Sequence, residues 1–223
     1  MKREYDYLLF DLDGTLTDPK EGITRCVQYA LSSFGIEEGN LDALLCFIGP
    51  PLRESFQKYY GMSEAEAEAA TEKYRERFST VGKFENRVLE GILPMLETLK
   101  NAGKTMALST SKPWVFAEQI LEKYGLAPYF SVVVGSELDG TRDAKDEVIL
   151  ETLRRLGLER GTQKAVMIGD RWHDICGAKK CGIDAIGVEF GYAEEGELWR
   201  AGAVAVANTV EELEQMLLCG IEG

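Results

Sequence analysis

Tyr7-Leu8-Leu9-Phe10-Asp11-Leu12-Asp13-Gly14-Thr15 is the stretch from which the fold of this chain is read. The apolar run is short enough for a buried strand, and it empties into two carboxylates on either side of Leu12, followed by a glycine suited to a sharp turn. In an open α/β sheet, ligands bind outside the carboxyl ends of the strands, so an acidic pair there points to chemistry. Two dry, ionised carboxylates about 4 Å apart repel by roughly 4 kcal/mol at an effective dielectric of about 20. A shared proton, a cationic side chain or a hard divalent metal would relieve that repulsion, and carboxylates combined with backbone oxygens suit magnesium.

If chemistry sits at the strand tips, later strands should also end in polar groups. The strand expected at Thr105–Ser109 runs into Ser109-Thr110-Ser111-Lys112-Pro113, which offers hydroxyls, a cation and a proline fit for a first helical turn. Hydroxyls and free N–H groups at a helix start suit phosphate oxygens. The strand expected at Ala165–Gly169 runs into Gly169-Asp170-Arg171-Trp172-His173-Asp174. On a helix start, the spacing of Asp170 and Asp174 puts both on one face, which makes them candidate metal ligands. Lys145 falls in an expected first helical turn, where the macrodipole disfavours a cation by roughly 0.3–1 kcal/mol. A nearby anion would reverse that, and charge balance with Asp146 and Glu147 is the plainer alternative. His173, the sole histidine, reads as a loop neighbour of the acidic pair, and one histidine without paired cysteines argues against a His/Cys zinc site.

The pattern between these strand ends is uneven. Helices are expected at Gly22–Phe34, Leu52–Tyr60 and Ser63–Thr80, the last opened by a Ser63/Glu66 capping box, with no strand among them. From about residue 90 helices and short apolar strands alternate: helix Leu93–Ala102, strand Thr105–Ser109, helix Trp114–Tyr124, strand Val132–Gly135, helix Lys145–Leu156 and strand Ala165–Gly169. Helix Asp174–Cys181, strands Ala185–Val188 and Val204–Val206, and helix Val210–Leu218 follow. Such alternation implies a parallel sheet covered on both faces. The expected fold is therefore α/β, a Rossmann-like parallel-sheet core of residues 1–17 and 86–223, interrupted by an all-helical cap of residues 18–85.

With 223 residues, 45% of them hydrophobic, a sizeable core is available. A formal net charge of −13 argues against nucleic acid and anionic lipid surfaces as partners, because both need a basic face. No stretch approaches the roughly 18 apolar residues of a membrane span, and the charged N-terminus reads as no signal peptide. Five cysteines without a Cys-x-x-Cys pair fit a reducing, cytoplasmic setting. Oligomeric state is left between monomer and homodimer.

These motifs, in order and spacing, resemble the haloacid dehalogenase superfamily: Asp11-Leu12-Asp13-Gly14-Thr15, then Thr110, then Lys145, then Gly169-Asp170 with Asp174. Within it, Gly169-Asp170-Arg171-x-His173-Asp174 and Gly49-Pro50-Pro51-Leu52-Arg53 look most like the phosphoglycolate phosphatase branch. The resemblance implies a phosphatase for a small phosphorylated metabolite, with Asp11 as nucleophile and Asp13 as general acid and base. It also implies Mg2+ held by Asp11, the Asp13 backbone carbonyl and Asp170, with Asp174 at the metal either directly or through water, and Thr110 and Lys145 gripping phosphoryl oxygens. Gly14, Ser111 and Lys112 would line the phosphate site, and Arg53 would reach the substrate from the cap, where a guanidinium suits a carboxylate or second phosphate.

Asp13 separates branches of that superfamily, since attack on carbon by a dehalogenase needs no acid for an alkoxide leaving group. A phosphonatase would need a cap lysine, and only Lys20 lies near the cap's start. A 5'-nucleotidase, a sugar-phosphate phosphatase or a phosphomutase would keep the same core and differ in the cap. A catalytically quiet phosphometabolite-binding protein is the rival from another class, and the intact set of Asp11, Asp13, Thr110, Lys145 and Asp170 argues against it.

Overall fold

The computed structural model describes residues 2–222. The chain forms two compact units, Met1–Thr17 with Val88–Gly223, and Asp18–Arg87. Strand β1 (Tyr7–Phe10) opens the first unit, and both crossings to the second run through two-residue strands, β2 (Thr17–Asp18) and β3 (Arg87–Val88), which pair with each other. The return crossing thus lies two residues beyond the 85/86 boundary drawn from composition. Two-residue strands carry no periodicity that a sequence pattern could register.

The helical unit packs α1 (Lys20–Ser32), α2 (Leu52–Tyr60) and α3 (Glu64–Phe78) together with a 3-10 segment at Leu41–Phe47. Helix α1 begins two residues earlier than its apolar periodicity suggests, and there the Asp18 carboxylate accepts from the Lys20 N–H at 3.0 Å, satisfying one of the free donors of the first turn. Ser63 and Glu66 form the expected capping box at the start of α3, and Ala67, Ala70, Thr71, Tyr74 and Phe78 form its buried stripe. Phe47 and Phe56 meet edge to face at 4.9 Å in the core of this unit.

The first unit continues through α4 (Ile92–Asn101), β4 (Thr105–Pro113), α5 (Trp114–Lys123), β5 (Val132–Ser136), α6 (Lys145–Arg155) and β6 (Ala165–Gly169). It ends with α7 (Trp172–Cys181), β7 (Asp184–Val188), α8 (Glu197–Ala201), β8 (Ala205–Ala207) and α9 (Val210–Cys219). Six strands form one parallel sheet in the order β5-β4-β1-β6-β7-β8. This is the Rossmann-like α/β architecture expected from the alternating pattern.

Side-chain alternation along these strands builds a core on each face. Leu8, Phe10, Val166, Ile168, Ile186 and Val188 enter one, while Leu9, Ala165, Met167 and Ala185 enter the other. Each fully buried Leu, Ile, Val, Phe or Met side chain contributes about 1.5–3 kcal/mol relative to exposure, so the sheet centre is held firmly. Register then levels the strand tips. Phe10 pairs with Leu108 on one side and Ile168 on the other, so Asp11, Ser109-Thr110 and Gly169-Asp170 all leave the sheet at the same height. The chain runs outward from β1 to β4 and β5, then returns to β6 and continues the other way, making a topological switch point where connections diverge and leave a crevice.

Differences from the sequence reading that bear on the site lie around its strand tips. Strand β4 extends to Pro113 because, after a register shift, Pro113 pairs with Ser136. Helix α7 starts at Trp172, and its N-cap Arg171 donates its N–H to the Asp174 carboxylate. Asp170 therefore lies outside the helix, and the pair is brought together by the turn rather than by helical spacing. Helix α8 had no signal, being a single short turn in an acidic loop.

Candidate active site

Asp11 and Asp13 are held by a tight turn in which the Leu12 carbonyl accepts from the N–H groups of Thr15, Leu16 and Thr17 at 3.3, 2.9 and 3.0 Å. Gly14 closes it with φ of 78°, and a Cβ there would lie 2.1 Å from Asp170 Oδ2. Only glycine allows both that backbone and that approach of β6's acidic tip to β1's.

Each carboxylate of the opening pair has its own ammonium partner. Lys145, the first residue of α6, places Nζ 2.8 Å from Asp11 Oδ1, 2.8 Å from Asp174 Oδ1 and 3.2 Å from the Ser109 carbonyl. Lys112 places Nζ 2.7 Å from Asp13 Oδ2. Both lysine side chains are 6% exposed. Burial works against the Lys145 charge, yet Asp11 and Asp174 raise its pKa above the ordinary lysine value, so it is an ammonium. Burial pushes the Asp13 carboxyl up, and Lys112 offsets only part of that.

The second acidic pair is buried as deeply. Asp170 is fully buried, and its Oδ2 accepts from the Tyr192 N–H at 2.8 Å. Burial, then the Asp174 and Asp11 charges, drive its carboxyl well above the usual range. Burial also raises Asp174, against the pull of Lys145. Oxygen atoms of Asp11, Asp170 and Asp174 all lie within 4.8 Å of one another. Four carboxylates share two ammonium groups, so full ionisation of all four would leave two negative charges uncompensated, and without a further cation burial instead favours their protonated forms. Asp13 Oδ1 and Asp170 Oδ1 are buried without a hydrogen-bond partner. An unpaired buried oxygen is costly, and converging carboxylate oxygens beside such oxygens are the donor set that suits a hard divalent cation.

Thr110 is buried next to these groups on β4, where its Oγ1 accepts from the Lys112 N–H at 3.3 Å. The Ser111 carbonyl accepts from the Ser136 hydroxyl at 2.8 Å, which ties the β4 and β5 tips together. His173 is not drawn into the acidic cluster by any hydrogen bond. Its ring stacks on Trp172 at 3.6 Å, and its pKa is lowered to about 4, by burial first and then by Arg171 and Lys145, so it is neutral at pH 7.

Arg53 belongs to the other unit. It lies in the first turn of α2, and its guanidinium meets the Glu68 carboxylate of α3, with Nη2 3.0 Å from Oε1. The strand-tip principle did not reveal the Tyr192 N–H or Arg171 and Glu197, since a backbone donor and a long-range ion pair leave no spacing to read. Lys112 was legible as a cation, though its pairing with Asp13 was not.

Residues 8–188 match the family described as haloacid dehalogenase-like hydrolase. A 5'-nucleotidase from Pseudomonas aeruginosa is 50% identical over 87% of this chain and 87% of its own length. The tyrosine-protein kinase PtkA of Mycobacterium tuberculosis is 35% identical over 94% of this chain and 72% of its own. Several relatives at 28–31% identity are named phosphoglycolate phosphatase. Among solved structures, a predicted phosphatase from Clostridium acetobutylicum superposes with a TM-score of 0.93 at 45% identity, covering 96% of this chain and 99% of that one. Carboxylates at the tips of β1 and β6, a lysine at the start of α6 and a hydroxyl at the tip of β4 thus coincide with a match over most of the sequence, and the chain belongs to the haloacid dehalogenase-like hydrolase family.

Proposed function

We propose that the chain hydrolyses the phosphate monoester of a small metabolite, with Mg2+ as cofactor. The observation that carries this reading is the buried convergence of Asp11, Asp170 and Asp174 oxygens within 4.8 Å of one another, with Lys145 already fixed on Asp11. Asp11, Asp170 and Asp174 would hold the ion with the Asp13 backbone carbonyl. When bound, the metal supplies charge neutralisation between a nucleophilic carboxylate and an anionic phosphoryl group.

Asp11 attacks phosphorus and forms an acyl-phosphate bond while the bond to the leaving alkoxide breaks. Asp13, whose burial favours the protonated form, gives its proton to that alkoxide. The alcohol departs. Asp13, now a carboxylate, takes a proton from water as the water oxygen attacks phosphorus, and the bond to Asp11 breaks to release inorganic phosphate. Lys145 holds Asp11 in place, and Thr110 with the N–H groups at the tip of β4 is suited to the phosphoryl oxygens. Lys112 reads here as the partner that orients Asp13, in addition to lining the site with Gly14 and Ser111.

Nucleoside 5'-monophosphates lead as substrates, because the relative at 50% identity over 87% of both chains is named 5'-nucleotidase. Phosphoglycolate is the second reading, favoured by Gly169-Asp170-Arg171-x-His173-Asp174 and the Gly49–Arg53 segment. A reducing cytoplasm suits the five free cysteines, and among the described residues no helix is long and apolar enough to cross a membrane. The test is release of phosphate from an aryl phosphate with and without Mg2+, then a ranking of nucleotides, phosphoglycolate and sugar phosphates by kcat/KM. We expect Mg2+-dependent turnover that D11N abolishes. Folded protein that releases no phosphate with Mg2+, or D11N that still turns over, overturns the reading. Phosphate appearing on protein tyrosine in preference to water would do the same.

A further inference from the structure

We infer that Glu197 is the positioning residue of the second acidic pair: it fixes the start of α7 and the 191–196 loop, and through them the spacing of Asp170 and Asp174. The inference rests on the proposed metal reading and goes beyond it, since Glu197 touches neither the proposed ion nor the phosphoryl group.

Glu197 is buried, and both its oxygens are engaged. Oε1 accepts from the Trp172 N–H at 2.7 Å and from Arg171 Nε at 3.1 Å, and Oε2 accepts from the Glu194 N–H at 3.0 Å. Burial raises its carboxyl, but those two N–H groups and the Arg171 charge outweigh burial and hold it below the ordinary value. It is a fixed carboxylate.

Both ends of this clamp lead to the acidic pair. Trp172 is the first residue of α7, whose first turn carries Asp174, and Arg171 donates its own N–H to Asp174 Oδ2 at 3.1 Å. Glu197 therefore caps, from another element, the helix that presents Asp174. On the other side, the loop that Glu197 gathers through Glu194 contains the Tyr192 N–H bound to Asp170 Oδ2 at 2.8 Å. That loop also presses on Asp170 directly, since a Cβ on Gly191 would fall 2.4 Å from Asp170 Cβ and 2.4 Å from the Gly14 carbonyl. Arg171 and two N–H groups hold the Glu197 carboxylate, so it is not available as a further metal ligand. Its role is to fix the backbone from which two proposed ligands project, as groups behind metal ligands commonly do.

The experiment is Mg2+ binding by titration calorimetry on the native chain, E197Q and E197A, with unfolding followed in parallel and turnover measured against Mg2+ concentration. E197A should bind Mg2+ about tenfold more weakly, in line with other residues that support ligands, and turnover should recover at high Mg2+ with KM for substrate unchanged. E197Q keeps an acceptor for Trp172 but loses the charge on Arg171, and it should fall between the two. If E197A does not fold, E197Q alone carries the test. A folded variant with native Mg2+ affinity overturns the inference while leaving the metal reading intact. A native chain that binds no divalent ion overturns both.

Discussion

The strand tips of the sheet unit and the surface of the helical unit place their ion pairs differently. At the strand tips Lys145 and Lys112 are 6% exposed and face carboxylates that are 2–11% exposed. In the helical unit Arg53 pairs with Glu68 at 35% and 42% and Lys73 with Glu76 at 43% and 50%, and the more enclosed pair of Arg77 with Glu85 still stands at 23% and 22%. Exposed pairs are screened by water and worth about 0–1 kcal/mol, so they tune a surface and can be lost cheaply. Buried pairs replace hydration that cannot return, and removing one partner strands the other. The sheet unit accepts that cost at the tips of β1, β4 and β6, where the proposed chemistry lies, and in the Arg171–Glu197 pair behind them.

Removing Lys145 should break the contrast most severely. K145M leaves Asp11 and Asp174 buried without their cation, and it should destabilise the metal-free protein by about 3–5 kcal/mol in a denaturant titration. Added Mg2+ should restore part of the loss. A change under about 1 kcal/mol would place this pair with the exposed ones and undo the comparison. Next in size is the Arg53–Glu68 pair, for which a double-mutant cycle of R53A and E68A should give a coupling of about 0.2–1 kcal/mol. R53A should also shift the relative rates of substrates that carry a second anionic group, and unchanged relative rates would remove Arg53 from the substrate site.

The smallest effect concerns α6 itself, which begins with buried Lys145 and carries Glu151 bonded to Arg154 and Arg155 at its surface. Those arginines lower the Glu151 pKa from 4.5 to about 2. A carboxylate held below its unfolded value contributes stability above pH 4.5 and loses it as pH falls towards 2. E151Q should therefore unfold slightly earlier than the native chain at pH 6, with the difference closing between about pH 4.5 and pH 2. A difference that stays constant over that range would mean the carboxylate charge contributes nothing.

Much of the core was legible because buried parallel strands leave continuous apolar runs, and their ends change abruptly to acid, hydroxyl or lysine. The helical unit was legible from apolar spacing and from the Ser63/Glu66 box. What escaped lay outside any apolar period: the Asp18–Lys20 contact at the start of α1 is polar, the Pro113–Ser136 pairing that lengthens β4 joins distant residues, and α8 is too short for a period to show. The acidic pair after β6 was found for a reason the structure corrects, since a turn rather than one helix face brings Asp170 to Asp174.

The sequence by itself determined the α/β order of elements, the family and the residue types at each strand end, because these depend on local pattern and on chemistry that only a few side chains offer. Tertiary structure alone decided who faces whom: that Phe10 pairs with Leu108 and Ile168, that Lys112 meets Asp13 while Lys145 meets Asp11 and Asp174, and that Glu197 closes on Arg171 and Trp172. The physical reason is sheet register. It brings residues far apart in the chain to one level, and in a dry interior the energy of a charge depends on its nearest neighbours rather than on its place in the chain.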